Sequence, residues 1–110
     1  MQRFVKTLNL VNNPQALEAY RKAHDEIWPE ITAGIKEVGI TNMDIYLKGN
    51  LAVMIMELPD NVDPEQAMNK LAVLPRQAEW EEYVSKFQQC TPGDTSAEKW
   101  HEMEKIFSLG

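Results

Sequence analysis

One cysteine, Cys90, stands alone in the chain. A single thiol excludes an internal disulfide framework and any cysteine-built metal cluster. The two histidines, His24 and His101, lie far apart, so no H-x-x-x-H pair exists. No other clustered ligands stand at metal spacing, and no glycine-rich loop suggests a bound phosphate. No metal or organic cofactor is expected. Basic charge is scarce as well: 11 Lys and Arg face 17 Asp and Glu, for a net charge of −6. That balance speaks against sequence-independent nucleic-acid binding, which needs a basic surface to displace counterions. It speaks equally against docking on anionic lipid. No apolar run approaches the ~18 residues of a membrane span. The opening stretch MQRFVKTLNLV alternates in polarity and has no apolar h-region, so it does not read as a signal peptide. The expected compartment is the cytoplasm.

What is present reads as one globular domain over residues 1–110, with 44% hydrophobic and 25% charged residues. Such a chain can bury one core and little more than one concave site. Residues 3–11, RFVKTLNLV, alternate as a strand with Phe4, Leu8 and Leu10 on one face. Asn13 is a plausible helix cap and Pro14 suits the first helical position. Leu17, Tyr20, His24, Ile27, Ile31, Ile35 and Val38 then recur at helical spacing. Pro29 interrupts that stripe, so the helix should break at Trp28 and restart toward Gly39. Residues 40–58 read as a hairpin around KGN, and the second arm is apolar enough to be a central, buried strand. Asp63 and Pro64 open a helix that Pro75 ends. RQAEWEEYVSKFQQ forms a second short helix, CTPGDTSAE a loop, and KWHEMEKIFSL a final strand.

The order β-α-β-β-α-β predicts an α+β, ferredoxin-like fold, an antiparallel sheet with helices on one face. The other sheet face is left bare. A second copy of the chain is the simplest cover, giving a dimeric, barrel-like α/β assembly.

Histidine is the side chain whose unperturbed pKa of ~6.5 lies near neutrality. His24 places one on an inward helix face, with Tyr20 one turn before it. Two readings stay open on spacing alone: a core histidine satisfied by a backbone carbonyl, or an acid/base group looking into a pocket where the helix breaks. Tyr46 shares a strand face with Asn42 and Asp44, opposite Met43, Ile45 and Leu47. Trp80 lies on a short helix among glutamates. An aromatic wall stacks on the C–H faces of sugars and a phenol can hold a sugar oxygen, yet either residue could equally be packing. Glu30, in the first turn after Pro29, suits the helix dipole. EWEEY reads as a solvated helix face, and His101 as a surface residue. Met43, Met54, Met56 and Met103 read as adaptable core filling.

YRKAHDEIWPEI resembles the signature of the L-rhamnose mutarotase family, with Tyr20, His24, Trp28, Pro29 and Glu30 at the matching positions. NMDIYLKGNLAVMIMEL, EWEEYVSKF and EKWHEMEKIFSL extend the resemblance over nearly the whole chain. It implies a ferredoxin-like homodimer that interconverts the α and β anomers of a 6-deoxyhexose without metal or cofactor. It implies His24 as the acid/base, Tyr20 as the helix tyrosine and Trp80 as the tryptophan wall, with Tyr46 a further substrate-binding candidate. The rhamnose enzymes carry a tyrosine where this chain has Met43, which cannot donate or accept as a phenol does. NMDIY also looks like relatives labelled as acting on L-fucose. The expected partner is therefore a free monosaccharide, L-rhamnose or L-fucose. Trp28 is expected to pack at the break. The rival readings are a cofactor-free monooxygenase-like dimer, a non-catalytic sugar-binding module and a purely structural dimer.

Overall fold

The computed structural model describes residues 1–110. In chain order it contains β1 (Gln2–Asn9), α1 (Pro14–Asp25), α2 (Pro29–Glu37), β2 (Asn42–Lys48), β3 (Leu51–Leu58), α3 (Pro64–Ala72), α4 (Gln77–Ser85), α5 (Ser96–Lys99) and β4 (His101–Glu102). The strands form one antiparallel sheet in the order β2-β3-β1-β4. This is the ferredoxin-like arrangement, with each of the two helices of its single helical layer broken into pieces.

Strand alternation decides which sheet face is covered. In β3, Ala52, Met54, Met56 and Leu58 are buried, while Leu51, Val53, Ile55 and Glu57 point to the other face and keep solvent contact. The β1–β3 register sets Leu8 opposite Ala52 and Phe4 opposite Met56, so both strands turn the same face to the helices. Lys6 interrupts that face. Burial pushes its ammonium pKa down, and Glu102, opposite it in β4, pulls the other way. Seventeen buried apolar residues form the core between sheet and helices, among them Tyr20, Ile31, Leu71, Trp80, Val84 and Trp100.

The helix boundaries follow local chemistry. Asn13 Oδ1 accepts from the amides of Gln15 and Ala16 at 2.9 and 3.2 Å, and Asp63 Oδ1 from Glu65 and Gln66 at 2.9 and 3.4 Å. Each cap is followed by proline at the first helical position. Pro29 breaks the first helical segment as expected: α1 ends at Asp25 and α2 begins at Pro29. Gly39 closes α2 at φ +98°, and an added Cβ would meet Val62 Cγ2 at 3.2 Å.

The C-terminal part departs from the expected loop and long strand. Thr95 and Glu98 form a reciprocal capping box that starts the helical turn α5 inside the expected loop. The expected strand over 99–109 shrinks to His101 and Glu102, paired with Thr7 and Lys6, and the ladder ends where the Met103 amide donates to the Val5 carbonyl. Beyond it, the apolar residues fall on both faces of the pattern, so neither face fixes a register. Ile106, Phe107 and Leu109 remain exposed.

EWEEY is not a wholly solvated face either. Lys99, with a fully buried side chain, donates to the Glu81 carboxylate at 3.0 Å and to the Glu81 carbonyl at 2.7 Å. Gln77 Nε2 donates to the other carboxylate oxygen at 2.6 Å. This network ties α5 to α4. Removing one partner strands a buried charge, so Lys99→Met is expected to cost roughly 3–5 kcal/mol in urea unfolding. Adding Glu81→Gln to that variant should recover part of the loss; a neutral Lys99→Met would contradict the role.

Candidate functional site

The site begins with the orientation of one ring. His24 Nδ1 lies 2.9 Å from the Tyr20 carbonyl. A carbonyl only accepts, so Nδ1 carries the proton in that contact. When the ring is neutral, Nε2 therefore holds the lone pair and is the atom available to a substrate. Aromatic contacts fix the ring plane: the Tyr20 ring tilts against it at 4.5 Å and Trp80 meets it edge-on at 5.4 Å. The chain thus brings Tyr20, His24 and Trp80 together, one turn before α1 ends.

Trp28 packs at the break. Its ring meets Trp80 edge-on at 5.3 Å and stacks on Tyr83 at 5.7 Å. Arg76 lies over its other side, with Cζ 4.1 Å from the ring centroid, and pairs with Glu30 at 3.5 Å.

A narrow cavity of about 60 Å³ lies between the helices and the sheet, lined by Tyr20, His24 and Trp80 together with Met43, Glu81 and Gln88. It shares His24, Ile27, Ile35, Met43 and Ile45 with a wider groove of about 410 Å³ toward β2. The groove is in the size range of small-molecule sites, and His24 stands where slot and groove meet. A bowl of about 650 Å³ beside α3, α4 and Cys90 touches none of Tyr20, His24 and Trp80. No three His, Cys, Asp or Glu side chains converge to hold a metal ion.

Burial pushes the Tyr20 phenol up to about 12; a hydrogen bond from Gln88 pulls it back and the Glu81 charge adds to the rise. Tyr20 therefore stays protonated and can donate. Tyr46 is not part of this constellation. It is 60% exposed on the uncovered sheet face, because strand alternation turns it away from the side that Met43 and Ile45 share with His24.

Sequence reading missed Gln77, Glu81 and Gln88. The signal was in the spacing: 77, 81, 84 and 88 follow one another at four, three and four residues, beside Trp80. All of these positions line the slot.

The L-rhamnose mutarotase family model matches residues 3–109. This chain belongs to that family. An L-fucose mutarotase of Xanthomonas campestris is 33% identical over 99% of this chain and 89% of its own length. An L-rhamnose mutarotase of Shigella flexneri is 29% identical over 88% and 89%. The solved L-rhamnose mutarotase of Formosa agariphila superposes over both full chains with a TM-score of 0.72 at 18% identity, a likeness of fold.

Family membership leaves the chemistry to the residues just described. Ionising the buried Tyr20 is unfavourable in the fold, so the unfolded chain releases this proton first. The contribution of Tyr20 to stability is complete below pH 10 and is lost as pH climbs through 12. Two pKa units correspond to roughly 2–3 kcal/mol. Urea unfolding across that window should show this component in the parent chain and not in Tyr20→Phe; parallel curves would refute the assignment.

Proposed function

We propose that this chain interconverts the α and β anomers of a 6-deoxy-L-hexose, L-rhamnose or L-fucose, by acid/base-assisted opening of the sugar ring. The observation that carries the reading is the His24 ring, held by its Nδ1–H with Nε2 left unpaired, in the lining of a slot that Trp80 and Tyr20 also line. Both the fucose and the rhamnose relatives support the substrate class. Family membership over residues 3–109 does not favour a monooxygenase-like or purely structural reading.

Each proton has a place in this scheme. His24 Nε2 takes the proton from the anomeric hydroxyl. As the C1–O5 bond breaks, its electron pair goes to O5, and the imidazolium returns the proton there. The product is the open-chain aldehyde with His24 restored. Rotation about C1–C2 and the reverse steps close the ring on the opposite face. No C–H bond breaks, so a group that gives and takes protons near neutral pH is sufficient. Tyr20, held protonated, donates to a sugar oxygen, and Trp80 offers its ring to the sugar's C–H face.

Acid/base help of this kind is worth ~10²–10⁴ in rate. His24→Ala should therefore bring anomer exchange of L-fucose or L-rhamnose, followed by saturation-transfer NMR, down to the buffer rate while the fold persists. Full exchange in that variant would end the proposal.

The proposal extends to the assembly. Val5, Val53, Ile55, Leu51 and Tyr46 give the uncovered sheet face an apolar character, and the fold supplies no layer over it. A second copy packed sheet to sheet covers it, at the ~10 Å spacing of stacked sheets. In that homodimer Tyr46 belongs to the interface; we assign it there rather than to the sugar. The setting is cytoplasmic and the ligand a free monosaccharide. Sedimentation equilibrium should find a dimer for the parent chain and a monomer for Ile55→Glu; a parent chain that is monomeric at micromolar concentration would exclude it.

A further inference from the structure

The amide of Gln88 is incompletely paired by the fold. Its side chain is buried against the slot, and its Oε1 is the one buried side-chain polar atom without a hydrogen-bond partner. At its other end, Nε2 reaches the Tyr20 hydroxyl at 3.4 Å, beyond the usual 2.7–3.2 Å range for N–H···O bonds. Turning the amide over exchanges the two ends and still leaves one buried polar atom unpaired.

Its backbone, in contrast, is tightly held. Gln88 forms an isolated β-bridge with Leu10 just past the end of β1. On either side, the Val11 amide donates to the Phe87 carbonyl and the Gln89 amide to the Asn9 carbonyl, both at 2.9 Å. The chain therefore carries the amide, on a fixed backbone, into a slot whose lining also includes Val84 and Trp100, and leaves one of its atoms unsatisfied. Buried polar groups are nearly always paired, and an unpaired one destabilises the fold that contains it. A ligand that completes the pairing accounts for such an arrangement.

We propose that Gln88 is a substrate-binding residue, its amide hydrogen-bonding a sugar hydroxyl remote from the anomeric carbon. This rests on the mutarotase reading above. A hydroxyl both donates and accepts, so it satisfies either end of the amide. The position follows from the geometry of Tyr20: its ring packs on His24 at 4.5 Å, and its hydroxyl, at the far end of the same side chain, meets Gln88. A sugar with its anomeric hydroxyl at His24 extends toward Gln88 with its C3 and C4 hydroxyls. Met43 lines the groove end of the slot and offers no phenol. Polar recognition of the ring accordingly sits at the Tyr20–Gln88 end. L-rhamnose and L-fucose share the C3 configuration and differ at C4, so a contact to the C4 hydroxyl discriminates between them and a contact to the C3 hydroxyl does not.

The test uses the intact chain, Gln88→Met, and free L-fucose and L-rhamnose with their 3-deoxy and 4-deoxy analogues. Met fills the volume without polar atoms. The expected result is a KM for anomer exchange raised about tenfold or more, the loss of one hydrogen bond to substrate. The melting temperature should be unchanged or higher, because an unsatisfied group has gone. One deoxy analogue should lose affinity for the parent chain and none further for Gln88→Met. An unchanged KM overturns the proposal, as it would if water satisfied the amide. Failure of Gln88→Met to fold also overturns it, since the amide would then be structural. Exchange by the parent chain at only the buffer rate for every sugar would sink the mutarotase reading itself, a result distinct from an active parent with an indifferent Gln88→Met.

Discussion

The buried pair between Lys99 and Glu81 fixes more of this molecule than its two residues suggest. A fully buried ammonium survives in a protein interior only when its charge is matched and its protons are used. Lys99 spends two of them on Glu81, at 3.0 Å to the carboxylate and 2.7 Å to the carbonyl. Two bonds to one residue leave little freedom for α4 to turn about its axis. That rotation decides which side chains α4 sends into the slot, namely Gln77, Trp80 and Val84. Trp80 in turn meets the His24 ring. A charge pair at the C-terminal end of the chain thereby sets the wall of a site whose histidine comes from the first helix.

The slot also depends on two interruptions. Each of the two helical segments of the ferredoxin-like fold is broken, the first before Pro29 and the second around Pro75 and Arg76. An unbroken helix would carry its side chains past the sheet in one continuous stripe. A break opens space at the layer, and it also frees amides that need support. The two breaks support each other. Trp28 holds the N-cap position of α2 and Arg76 that of α4; neither side chain bonds the freed amides, but the guanidinium lies 4.1 Å from the indole centroid and joins the two breaks. Arg76 adopts φ 65°, a left-handed conformation uncommon outside glycine. Its pairs with Glu30 at 3.5 Å and Glu79 at 3.6 Å help hold it there. Local strain at one break thus accompanies closure of the other.

Much of this was legible in the sequence, for identifiable reasons. Periodicity and caps marked both strands of the hairpin, the helix starts at Asn13 and Asp63, and the break at Pro29, because these are local effects. His24 was legible as an inward histidine, and the family motif supplied the acid/base role proposed for it. Its tautomer was not, since that depends on the Tyr20 carbonyl one turn away in space. Glu81 read as solvated because its partner is 18 positions along the chain, past a loop. The final strand was overextended because alternation alone does not report where the ladder runs out of partners. Tyr46 looked usable because a phenol's chemistry is visible in a sequence, while the sheet face it occupies relative to His24 becomes clear only once the helices are placed.

The polar groups around the slot separate into two kinds, and the separation identifies which belong to the fold. Gln77, Glu81 and Lys99 are mutually satisfied; removing any one leaves another stranded. His24 has its Nδ1 satisfied and its Nε2 free, and Gln88 has a poorly made bond at one end and none at the other. A network that served only stability would close on itself, since half-satisfied buried groups oppose folding. His24 and Gln88 line one narrow cavity, and their open valences differ in kind: a lone pair able to take a proton in one, an amide able to pair with a hydroxyl in the other. On the proposed function, the groups that the fold leaves open are the ones that a sugar pairs with.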